Sequence, residues 1–246
     1  MSFGNHNVSA MTRRILTRHD SATGEQREEG TAWYRNARTF AAVLSEQLPY
    51  SFEQIAHVIA ALSPQVTWEK NIESTHLVIA AHLTGQTSGK VAGYPGYTAS
   101  TDKAFRILAG DLSALKGPKV EAFAAAITGD LSHVVCDIWA CRAARSSADN
   151  LLFMYTDGEL PGARERRAIT EAYRRAAARR DVEPAVMQAI VWTVTRGCET
   201  WTRPQHMSEQ QRTRLWRRQA AARARAGLGK PYDWNAGAKT KYAQYS

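Results

Sequence analysis

The segment His133-Val134-Val135-Cys136-Asp137-Ile138-Trp139-Ala140-Cys141-Arg142 sets one carboxylate between a short apolar run and the first turn of a new helical pattern. An acid in that position caps a helix: its oxygens accept the unpaired N–H groups of the first turn, and the helix dipole favours the charged form. The segment predicts a helix starting after Asp137 and an ionised carboxylate beside apolar walls. Such a carboxylate stabilises a developing cation, and it is equally a plain structural cap. The company it keeps elsewhere in the chain separates the two readings.

Helical signals flank it on both sides. Before it, Leu115-Lys116-Gly117-Pro118-Lys119 is a tight turn, with Gly117 free to take unusual angles and Pro118 suited to open a helix. Val120, Phe123, Ala124 and Ile127 bury that helix, and Gly129 ends it. Earlier still, Trp33, Ala37, Phe40, Ala41, Leu44 and Leu48 recur at helical spacing, and Ser51 with Gln54 resembles a capping box ahead of Phe52, Ile55, Ile59 and Leu62. A third helix is expected from about Thr67 to Leu83, then a glycine-rich loop, then a short helix near 101–108.

After it, 146–162 reads as a loop with a short apolar insert, followed by a basic helix at about Ala163–Arg180. Val186, Met187, Ile190, Val191 and Val194 form an apolar face ending at Gly197, and a last arginine-rich helix runs from about Ser208 to Ala226. Residues 1–24 lack apolar periodicity and read as a flexible basic arm, with order beginning near Glu25. There are no alternating apolar–polar runs, no hairpin signal and no repeat, so the fold class is all-α.

The 246 residues carry a formal net charge of +9, which favours a polyanionic partner, nucleic acid first among them. A basic helix is also an ordinary solvated face. Cys136, Cys141 and Cys198 are too few and too irregular for a disulfide framework or a four-thiolate cluster, which points to a reducing compartment. The chain shows neither the pattern of a secretory signal nor an apolar run long enough to span a membrane, so a cytoplasmic protein is expected. His133 and Cys136 lack a second pair to complete a metal site, and His76 and His82 do not share a helical face.

Three segments in order carry a likeness: Leu62-Ser63-Pro64-Gln65-Val66-Thr67 at a helix–helix junction, Leu115-Lys116-Gly117-Pro118-Lys119 at a turn, and Asp137 with Arg142 opening the next helix. Together they resemble the helix-hairpin-helix superfamily of DNA base-excision glycosylases, of the endonuclease III type. In that family a Leu-Ser-x-Gln junction wedges into the duplex, a glycine-rich hairpin with a following lysine grips a phosphate, and an aspartate opening the next helix assists bond cleavage. Eighteen residues separate Lys119 from Asp137, the usual family span. The hairpin departs from the family's Leu-Pro-Gly-x-Gly-x-Lys: it has one glycine and is two residues shorter, leaving fewer N–H groups for a phosphate. The compacted turn is also similar to that of phage-encoded relatives associated with hypermodified thymine.

The resemblance implies a two-lobed helical fold with a cleft, lobe one at about 52–145 and lobe two at 25–50 plus 146–205, with a basic helix and tail at 206–246. It implies an enzyme on DNA without cofactor or metal, since the cysteines of the iron–sulfur members are missing; a monomer is favoured, with the oligomeric state open. Asp137 would stabilise oxocarbenium character on the deoxyribose or activate water. Lys119 would attack the sugar carbon as an amine if burial depresses its pKa, or contact a phosphate. Gln65 would fill the gap left by a flipped base, or cap its turn as an ordinary polar residue. Lys116, Gly117, Arg142 and the arginine-rich helices would contact the DNA backbone. Trp68, Trp139 and Trp192 are candidates for the wall of a base pocket, or for core and rim. On the same scaffold the act could instead be phage-type base hypermodification, or DNA binding without a reaction.

Overall fold

The computed structural model describes residues 7–156, 160–197 and 206–231. Among the described residues all regular structure is helical: α1 (Val8–Asp20), α2 (Gly24–Gln47), α3 (Phe52–Leu62), α4 (Trp68–Leu83), α5 (Thr98–Leu108), a 3₁₀ turn at Leu112–Ala114, α6 (Pro118–Thr128), α7 (Ile138–Ala144), α8 (Ser147–Phe153), α9 (Ala163–Arg180), α10 (Pro184–Arg196) and α11 (Glu209–Arg225). None is long and apolar enough to cross a membrane.

Local chemistry sets the boundaries. Reciprocal capping boxes open α2 (Thr23 with Gln26), α3 (Ser51 with Gln54), α8 (Ser146 with Asp149) and α11 (Ser208 with Gln211). Pro118 occupies the first turn of α6, where its missing N–H costs nothing, and Gly129 closes that helix in the left-handed conformation.

Two clusters of buried side chains hold the helices. The first joins α2–α6 through Tyr34, Ile55, Ile59, Leu62, Phe105, Ile107 and Ile127. The second joins α1, α7, α9 and α10 through Ile15, Cys141, Ile169, Tyr173, Met187 and Val191. Helix α10 serves both, giving Ala185 and Ala189 to the first and Met187 and Val191 to the second. Its crossing with α2 is close: a Cβ on Gly30 would lie 2.5 Å from the Ile190 Cα. A side chain there would push the two helices apart.

Two expectations are corrected. The stretch 8–20 is helix, not a flexible arm, and residues 1–6 lie outside the described residues. Asn7 caps α1 by accepting the Ala10 N–H at 3.0 Å, and Met11, Ile15 and Leu16 bury one face. Fully burying a side chain such as Ile15 stabilises by about 1.5–3 kcal/mol. Arg180 fastens the far end, with Nε and Nη2 on the Asp20 carboxylate at 2.8 and 2.5 Å. Second, 146–162 contains α8, built on its own capping box. Helix α2 packs against α10 as well as against α3 and α6, and α7 packs against α1, α9 and α10.

Candidate functional site

Asp137 caps α7 as its position implies. Its Oδ1 accepts the Ala140 N–H at 2.8 Å, and the side chain is half-buried. Burial pushes its pKa above the ordinary carboxylate value, and this outweighs the opposing pull of the Lys119 ammonium, the Ala140 and Trp139 backbone N–H groups and Arg142. Burial, not the helix terminus, is therefore the larger influence on this carboxyl. The negative charge reaches Tyr34 on α2 and Tyr173 on α9, whose hydroxyls burial already pushes up. Asp137 thus stands where both buried clusters meet.

Lys119 projects from the first turn of α6. Burial pushes its pKa down while the Asp137 charge pulls it up, so the two groups act on each other from different helices. Gly117 before it has φ +130°, a conformation that L side chains rarely adopt. The Gly117 N–H, expected to meet a phosphate, already donates to the Glu121 carboxylate at 3.1 Å. The turn is self-capped.

Lys119 lines a cavity of about 410 Å³ together with Lys103, Lys116, Arg166, Pro64 and Cys136. Lys103 Nζ donates to the Lys116 carbonyl at 3.4 Å. Asp137, next to Cys136 in the chain, is not part of this wall.

Arg142, expected at the DNA backbone, is buried here. It is 3% exposed, with its guanidinium 4.7 Å over the Trp139 ring and 5.0 Å over Tyr155, so it acts on Asp137 through its charge. Trp139 is therefore stacked beneath Arg142, apart from the other two tryptophans. Trp68 and Trp192 meet around Trp33, at centroid distances of 5.5 and 4.7 Å from it, and Arg196 covers Trp192 at 4.8 Å. All three rings of that group are half-buried, and none lines the 410 Å³ cavity.

Gln65 is exposed, with φ +64°, in the short connection between α3 and α4. A left-handed non-glycine residue costs about 1–2 kcal/mol. Pro64, beside it, forms part of the cavity wall.

Several site residues carry no motif. Tyr34 donates its hydroxyl hydrogen to Gln188 Oε1 at 2.8 Å, linking α2 to α10 within reach of the Asp137 charge. Lys103 and Arg166 reach the cavity from α5 and α9. Only the helical spacing around them was available as a signal. Cys136 and Cys141 are free buried thiols with Sγ atoms 3.9 Å apart, and Cys198 lies outside the described residues. Among the described residues no three His, Cys, Asp or Glu side chains gather as a metal site.

No curated protein and no solved structure matches the chain. Residues 2–199 match DUF7178, described as a family of unknown function. That stretch is more than half of the chain and spans α1–α10, so this protein belongs to the DUF7178 family.

Proposed function

We propose that this chain is a DNA glycosylase-like enzyme of the helix-hairpin-helix kind, cleaving the N-glycosidic bond of a base flipped from the duplex. The observation that carries the reading is the electrostatic coupling of a half-buried helix-capping acid, Asp137, to a half-buried amine, Lys119, which lies on the wall of a cation-lined cavity. Burial moves the two pKa values toward each other, as acid–base chemistry near neutral pH requires.

As the base leaves, positive charge develops on the deoxyribose, and the ionised Asp137 stabilises it. A neutral Lys119 amine attacks C1′: the C1′–N bond to lysine forms, the glycosidic bond breaks, and the base departs with its electron pair and takes up the proton that the alkylated lysine nitrogen gives off. Where water attacks instead, Asp137 accepts its proton. Gln65, exposed and fixed by a strained backbone, suits insertion into the vacated stack. Lys116 and the arginine-rich helices would hold phosphates.

The test is mass spectrometry of nucleobases released from a panel of unmodified and modified genomic DNAs. Release of a specific base supports the reading. Bases that are altered but retained, or binding with neither outcome, would replace it with base modification or with a non-enzymatic binding protein.

A further inference from the structure

The 410 Å³ cavity does not end at Lys119. Pro118 and Arg166 also line a second cavity of about 490 Å³, whose wall continues along α9 with Arg167 and Arg174. The two cavities adjoin at these shared residues of α6 and α9, and are taken together as the α6–α9 groove. Its cations are Lys103, Lys116, Lys119, Arg166, Arg167 and Arg174, and its floor includes Val120, Ala122 and Val134. The single carboxylate on these walls, Glu171, is taken by Arg175 Nε at 2.7 Å, and His133 faces Asp130 at 3.2 Å. Arg167 and Arg174 are exposed. A row of cations over an apolar floor matches a strand with phosphates on one edge and bases on the other.

We propose that the α6–α9 groove binds single-stranded DNA running from the Lys119 cavity along Arg166, Arg167 and Arg174. The inference rests on DNA being the partner but not on base release. The enzyme would then prefer sites flanked by an unpaired strand.

The test measures binding of the full chain to a blunt duplex and to the same duplex carrying a single-stranded overhang on either end, across a salt series. R166Q/R167Q/R174Q is compared with R13Q/R35Q/K90Q, which removes the same charge from elsewhere on the surface, and thermal melting checks that both fold. R174Q alone, at an exposed position, serves if the triple variant does not fold. Wild type is expected to bind the overhang probe at least about tenfold more tightly than the blunt one. The groove variant should lose that preference, with a log–log salt slope shallower by about 2, from roughly 0.7 per single-strand phosphate contact. The surface variant should keep the preference.

Equal losses in both variants, no overhang preference in wild type, or competition by polyglutamate as strong as by single-stranded DNA would overturn the proposal. Base release is scored separately. Release without overhang preference sinks the groove alone, and overhang preference without release sinks the glycosylase reading alone.

Discussion

The Gly117 N–H donates to the Glu121 carboxylate at 3.1 Å, and the Glu121 N–H donates back to the Gly117 carbonyl at 2.9 Å. This reciprocal closure fixes the turn that carries Lys116 and Lys119, and it sets an exposed negative charge beside the cations of the cavity. A phosphate approaching the turn must displace or repel that carboxylate. Glu121→Gln keeps an acceptor for the Gly117 N–H and removes the charge, so DNA affinity at low salt should rise by about three- to tenfold. Titrations of both proteins at two salt concentrations check this, and the gain should shrink at the higher one.

Asp137→Asn separates capping from charge. Asparagine caps as well as aspartate, so the Ala140 N–H keeps its acceptor. A carboxyl whose folded pKa lies above its unfolded value costs stability as pH rises from the unfolded value through the folded one. The variant escapes that loss. Its melting temperature should match wild type near pH 3 and exceed it at pH 7, and a difference that shrinks with rising pH would refute the sign.

Lys119 bears on whether an amine takes part. Burial depresses its pKa below the ordinary lysine value of 10.5, so the neutral amine is available at lower pH than on a surface lysine. Borohydride should trap a covalent adduct with abasic-site DNA. The trapping rate should rise with pH toward a midpoint below 10.5, and Lys119→Ala should give no adduct.

Stability of the α7 end depends on a buried ion pair. Arg145, 3% exposed, places Nε and Nη2 on Glu165 Oε1 and Oε2 at 2.7 and 2.9 Å and stacks over Phe153 at 5.2 Å. Glu165→Ala leaves the guanidinium buried without its carboxylate and should cost about 3–5 kcal/mol in chemical denaturation.

Much of this molecule can be read from its residues. The apolar spacing and caps of α3, α4, α6, α9, α10 and α11 place each within a few residues, because proline, glycine and Ser-x-x-Gln act locally. Helix α1 is obscured because Arg13, Arg14 and Arg18 interrupt the face formed by Met11, Ile15 and Leu16, although Asn7 is a sound cap. Helix α8 is too short for its period to register. At the site, the capping role of Asp137 is local and legible. The raised pKa is not, since it arises from burial by distant helices, and neither is Tyr34–Gln188, whose partners are 154 residues apart. The stacking of Arg142 on Trp139 and Tyr155 is likewise a tertiary contact that its motif does not announce.

The decisive measurement is single-turnover release of a base by wild type and by Asp137→Asn, on the DNA that yields most product, with DNA affinity measured in parallel. The asparagine variant should bind as wild type does and release base at least about 10²-fold more slowly, the minimum expected for losing a positioned acid–base group. Equal release rates at equal affinity would show that Asp137 is only a helix cap.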